Sequence, residues 1–127
     1  MRKRAFSQAP WESKVGYCRA IRAGDHVYVT GTAPVAEDGS VYAPGDPGAQ
    51  AERCFALIEK ALNDCGAEIK HVVRTRIFVT NIDQWEPIGA AHARVFRDHP
   101  PATTMVEVSR LIDPAMLVEI EADAVID

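Results

Sequence analysis

Residues 100–127 read "PPATTMVEVSRLIDPAMLVEIEADAVID", and the last half of this stretch decides the fold. Val118, Ile120, Ala122 and Ala124 alternate with Glu119, Glu121 and Asp123. A period of two belongs to a strand with one apolar face and one polar face. Like charges in a row on a sheet repel one another, so the acidic row needs a reason. It is either a solvated face or a place where one carboxylate lines a site, and the alternation leaves both open. The preceding segment, "TTMVEVSRL", reads as a strand as well, joined to the acidic one by a turn around Asp113-Pro114.

Further back, "HVVRTRIFVTNI" (71–82) is dense in β-branched residues and predicts another strand. Helices flank it. Asp46 reads as an N-cap with Pro47 in the first turn, and Ala51, Cys54, Phe55, Ile58 and Leu62 then keep the spacing of one buried helical face until Gly66 stops it. Asp83 with Glu86 reads as a capping box opening a second helix, in which Trp85, Ile88, His92 and Val95 share a face. Pro87 is tolerated there in the first turn, and His99-Pro100-Pro101 ends that helix. At the other end, "GYCRAIRAGDHVYVTGTAPV" predicts two strands joined at Ala23-Gly24-Asp25. Gly31 interrupts the second of them, which suggests a bulge or a close approach to the backbone. "AEDGS" (36–40) and the proline- and glycine-rich stretch 42–48 read as turn and loop. The predicted order is ββαβαββ, an α+β fold in one domain over residues 1–127, with two helices on one face of a single sheet. The other sheet face then needs a cover, and a second copy of the chain is the obvious one.

Composition narrows the function. A chain of 127 residues can bury a core without disulfides or metals. The formal charge of -4 works against nonspecific binding to nucleic acid, and the one basic run, Arg2-Lys3-Arg4, reads as a flexible, solubilising end. No apolar stretch approaches the ~20 residues needed to cross a bilayer and no signal-peptide core is visible, so a cytoplasmic location is expected. Three cysteines without metal-type spacing fit a reducing compartment. Cys54 reads as core and Cys65 as the end of the first helix, while Cys18 follows Tyr17 in a region of interest. The four histidines show no metal-binding pattern, and no metal site is expected.

Nearly the whole chain resembles the RidA family, also called the YjgF or endoribonuclease L-PSP family. The resemblance is carried by "VGYCRAI" (15–21), "VYVTGTAPV" (27–35) and "AERCFALIEKALNDCGA" (51–67) before "HVVRTRIFVTNI". Above all it rests on "PPATTMVEVSRL" (100–111) followed by "VEIEADAV" (118–125). It implies a chorismate-mutase-like fold assembled as a homotrimer, with small clefts between subunits and no metal or organic cofactor. The activity it implies is hydrolysis of reactive enamines and imines to a keto acid and ammonia. The family's cleft residues fall at Tyr17, Thr30, Gly31, Thr103, Met105 and Glu119, with Glu119 orienting or activating water. One departure stands out. Deaminating members of the family begin the signature strand proline, alanine, arginine, and that arginine grips the substrate carboxylate; here "PATT" places Thr103 at that position. A hydroxyl cannot supply two parallel charged donors, so a 2-iminocarboxylate is expected to bind poorly.

Imine hydrolysis asks for positioned water and one proton-transfer group. Glu119 fits that role if an interface desolvates it, with Glu121 raising its pKa further by repulsion. Arg74 and Arg76 share a strand face: Arg76 either binds an anion from the opposite cleft wall, or both arginines pair with the acidic strand across an interface. Arg110 reads as structural, and Tyr17 either offers its phenol to a ligand or is simply buried. Three functions follow: a hydrolytic deaminase with atypical substrate recognition, a trimeric small-molecule-binding or regulatory protein without turnover, and, most weakly, an endoribonuclease.

Overall fold

The computed structural model describes residues 2–127. Its elements are β1 (Arg2–Ala5), α1 (Pro10–Val15), β2 (Ala20–Ala23), β3 (His26–Thr32), α2 (Pro47–Asp64), β4 (Val72–Val79), α3 (Trp85–Phe96), β5 (Ala102–Glu107) and β6 (Val118–Val125). From Ala20 onward the order is the predicted ββαβαββ. The strands form one six-stranded sheet in the order β1-β2-β3-β6-β4-β5. All neighbours are antiparallel except β4 and β5, which α3 joins as a crossover.

Alternation along the central strands sets the layers. Val118, Ile120, Ala122 and Ala124 of β6 are buried, as are Thr75, Ile77 and Val79 of β4 and Val27 and Val29 of β3. These meet the apolar face of α2, where Ala51, Cys54, Phe55, Ile58, Ala61 and Leu62 are buried. Ile88, Ala91 and Phe96 of α3 complete the core. Helices and core thus lie on one face, and the acidic row of β6 looks out from the other. No helix among the described residues is long and apolar enough to cross a membrane.

Asp46 caps α2 as its sequence predicts, its side chain accepting from the Ala49 N–H at 3.0 Å. Asp46→Ala is expected to cost about 1 kcal/mol, read as a lower midpoint in urea at unchanged slope. Gly66, at φ 83, turns the chain after the helix as expected.

Four expectations are corrected. The basic run at 2–4 is not a loose end: it lies in β1 and pairs with β2, Arg2 opposite Ala23 through Ala5 opposite Ala20. Its charges mask a strand because backbone pairing at a sheet edge asks little of the side chains. A short helix, α1, lies in the connection from β1 to β2 and has no apolar periodicity to announce it. Asp83 does not cap α3. Asn81 does the local work, accepting from the Asp83 N–H at 3.0 Å and starting a single 3-10 turn, after which α3 begins without a side-chain cap. Trp85 is consequently swung outward and is 54% exposed rather than part of the buried face.

Candidate functional site

Around Glu119 the sheet is built to hold a carboxylate. The register between β3 and β6 slips between Val29 and Thr32, the bulge that Gly31 foreshadows. A Cβ on Gly31 would stand 2.8 Å from Glu119 Oε2, so the glycine leaves the space the carboxylate fills. Glu119 is half-buried, and burial pushes its pKa up; the Glu121 charge adds to the rise and Arg19 opposes it.

The segment from α1 to β2 is tied to β3 next to Gly31. Glu12 is buried, and its carboxylate accepts from both the N–H and the hydroxyl of Ser7. Its carbonyl accepts from the N–H groups of Gly16 and Tyr17, which fixes where Tyr17 emerges. Thr30 ties this loop to β3 twice. Its N–H donates to the Arg19 carbonyl at 3.0 Å and its hydroxyl to the Cys18 carbonyl at 2.7 Å. Arg19 lies 5.7 Å from the Tyr17 ring centre and donates to the Gly31 carbonyl at 2.8 Å, while its Nε is buried without a partner. Glu119 therefore meets Gly31, and Arg19 links the Gly31 carbonyl to the Tyr17 ring, while the Thr30 hydroxyl is turned to the Cys18 carbonyl.

Thr103 and Met105 lie elsewhere. Thr103 pairs with Thr75 and Met105 with Ile77, so both side chains point to the helix side of the sheet. Met105 packs against the core. Thr103 is exposed at the β5 edge, its hydroxyl hydrogen-bonded to that of Thr75 at 2.7 Å. The Thr75 oxygen in turn lies 2.8 Å from His92 Nε2 on α3. The row of Glu119 runs through Phe78 to Val106. Thr103 is three residues from that row, roughly 10 Å along the strand, two strands across at roughly 5 Å each, and on the opposite face. No small ligand touches Thr103 and Glu119 of the same copy.

Arg76 sits on the acidic face, its guanidinium 3.2 Å from Glu121 and 3.1 Å from Asp123. The partner is the acidic strand, as one of the two readings expects, but the pairing lies within one chain, where β4 runs beside β6, rather than across an interface, and Arg76 makes it without Arg74. It explains how two of the three like charges on β6 are tolerated. Glu119 is the carboxylate left outside this cluster. Arg110 stands exposed beyond β5. Among the described residues no group of histidine, cysteine or carboxylate side chains is placed to hold a metal ion. Arg19, Thr75 and His92 escaped sequence reasoning. Arg19 is inside a quoted family stretch but lies on a strand margin without a pattern, and His92 reads as one more member of a core face.

Comparison with known proteins matches this geometry to a lineage. The endoribonuclease L-PSP family model matches residues 6–126. An uncharacterised protein of Streptomyces coelicolor is 35% identical, covering 96% of this chain and 90% of its own. The 3-aminoacrylate deaminase RutC of Acinetobacter baylyi is 32% identical over 85% of each chain. Among solved structures, Rv2704 of Mycobacterium tuberculosis, a YjgF/YER057c/UK114 family member, superposes with a TM-score of 0.90 at 44% identity, covering 99% of this chain and 100% of that one. The YjgF protein of Escherichia coli gives a TM-score of 0.84 at 29% identity, over 97% and 98%. By sequence and by fold, the chain belongs to the RidA/YjgF, or endoribonuclease L-PSP, family.

Proposed function

We propose that the protein is a hydrolytic deaminase of a reactive enamine or imine, working at clefts between subunits of a homotrimer, with Glu119 as the residue that handles water. The observation that carries this reading is the Glu119 carboxylate, seated over the Gly31 backbone with its pKa raised by burial. A carboxyl group so placed can take a proton from water and return it to the departing amine. Hydrolysis adds water across the C=N bond; the resulting carbinolamine then loses ammonia or an amine to leave a carbonyl. A named deaminase among the relatives supports the same class of chemistry.

Two separated sets of residues support a cleft between subunits, provided that both sets serve one site. Thr103 and Met105 on the β5 edge meet Tyr17, Thr30, Gly31 and Glu119 only if the edge of one copy approaches the acidic face of another. Val106 and Val73, 42% and 47% exposed, and Tyr28, 46% exposed, give that contact its apolar surface. Sedimentation velocity is expected to show a trimer. Arg76 stays in the cleft description as a charge-balancing residue of the acidic face.

Thr103 favours a second reading, a trimer that binds a small molecule without turnover, because it lacks the charged fork of an arginine. Hydrolysis of imines generated in situ separates the two. Wild type is expected to leave 2-aminoacrylate decaying little faster than in buffer while accelerating an imine that has no carboxylate. Thr103→Arg is expected to gain about tenfold or more on 2-aminoacrylate, the effect of one charged contact of about 1.4 kcal/mol. If a folded trimer speeds no imine in either form, the deaminase reading is overturned and the binding reading replaces it. Ribonuclease activity, the weakest reading, has neither a basic groove nor a histidine pair behind it.

A further inference from the structure

Three hydroxyl and imidazole groups run in line from the helix layer to the sheet edge: His92 Nε2, Thr75 Oγ1 and Thr103 Oγ1, at successive separations of 2.8 and 2.7 Å. Thr75 is fully buried in the centre of β4, and Thr103 faces it in register on β5. His92 is half-buried between aromatic rings, 5.6 Å from Phe55 and 4.6 Å from Phe96 between centroids. Burial lowers its pKa, which favours the neutral ring. The nearby charges of this layer, Arg94 and Glu52, are spent on each other at 2.6 Å.

A chain of this kind has a definite proton count. Each hydroxyl owns one proton and two lone pairs, and a neutral imidazole has one N–H and one bare nitrogen. With the proton on Nε2, His92 donates to Thr75, Thr75 donates to Thr103, and the Thr103 proton is left to point outward. With the proton on Nδ1, Thr103 donates inward, Thr75 donates to Nε2, and Thr103 offers only lone pairs. The edge hydroxyl can thus act as donor or acceptor by a change of tautomer, and in neither state does it carry charge.

We propose that Thr103 is the specificity-determining residue of the cleft, with His92 as a positioning residue acting through Thr75, and that the pair selects an uncharged polar substituent such as a carboxamide where a carboxylate would otherwise sit. The proposal rests on the reading that the β5 edge lines the cleft, and it names the substrate class for it: imines and enamines whose second functional group is neutral. A relay of neutral groups satisfies a carboxamide, which both gives and takes hydrogen bonds, and gives a carboxylate no charge to offset its desolvation.

The test uses two isosteric product analogues, pyruvamide and pyruvate, titrated into the intact protein and followed by amide chemical shifts. Wild type is expected to bind pyruvamide about tenfold or more tightly over pyruvate. Thr103→Ser and Thr75→Ser keep that preference; Thr103→Val removes it, and at an exposed edge position its matching shape leaves the apolar packing in place, with His92 still partnering Thr75. His92→Phe is expected to lower the preference several-fold, and His92→Gln, which keeps an N–H donor and an oxygen acceptor on the ring's path, to restore part of it. Equal or tighter binding of pyruvate overturns the proposal, and loss of that binding in Arg19→Gln would place the anion at Arg19. A preference that survives Thr103→Val, or no binding of either analogue, overturns it as well. Because the readout is binding, a preference without hydrolysis would sink the deaminase reading alone, and hydrolysis without a preference would sink the relay alone.

Discussion

Glu119→Gln is expected to remove at least about 99% of imine hydrolysis, the usual scale for losing a positioned general acid–base, and at the same time to raise the thermal midpoint at pH 8. The two effects have one cause. Burial against Gly31 and repulsion from Glu121 raise the folded-state pKa of Glu119 above its unfolded value, Arg19 offsetting only part of this. Folding therefore favours the protonated form. Below the unfolded pKa the carboxyl is neutral in both states and costs nothing. As pH rises through the higher folded value, the wild type loses stability that Gln, always neutral, does not lose. The midpoint gain is expected to be about 1–3 °C at pH 8, the size produced by a fraction of a kcal/mol in a domain of this length, and to vanish by pH 4. Melts at both pH values together with the hydrolysis assay check it. A midpoint that falls at pH 8 would mean that Arg19 holds Glu119 as a favourable ion pair, and retained turnover would move the water-handling role to another residue.

That coupling explains which parts of the molecule the sequence can announce. The β6 alternation, the α2 face, the Asp46 cap and the interruption at Gly31 are local patterns, written in residues near one another along the chain. They are legible because each one satisfies a period or a dihedral requirement by itself. The position of Glu119 over Gly31 was half legible: the glycine signalled a close approach, but only the β3–β6 register says what approaches. For Arg76 the sequence points to the acidic strand but sets the pairing across an interface, since only β4 lying beside β6 puts Glu121 and Asp123 of the same chain within its reach. The line from His92 through Thr75 to Thr103 was invisible. It requires a helix, an interior strand and an edge strand to align, and each residue alone reads as ordinary core or surface. β1 was missed for the opposite reason, because three charges in succession mimic a solvated end while the backbone beneath them pairs with β2.

Gln50→Leu is expected to be the most damaging single change away from the cleft. Gln50 is fully buried in the first turns of α2, where a polar side chain must be matched. Its Nε2 donates to the Ala115 carbonyl at 2.9 Å and more weakly to the Ala43 carbonyl at 3.4 Å, and its Oε1 accepts from the Leu117 N–H at 2.8 Å. One side chain thus fixes the segment that leads into β6, two residues before Glu119. Leucine fills nearly the same volume, so little cavity cost arises; the penalty is two backbone groups left without partners, each about 1–3 kcal/mol. A loss of roughly 2–6 kcal/mol is on the order of 10 °C or more in midpoint for a domain of this size. Amide exchange tells local from global damage: Leu117 and Val118 should lose protection beyond the general fall, and Glu119 should become more mobile with them. Turnover is then expected to drop at temperatures where the fold is still intact, since misplacing a reacting group by about 1 Å can cost 100-fold. A midpoint within 2 °C of wild type would show that water replaces the amide, and that the entry to β6 is held by the strand pairing alone.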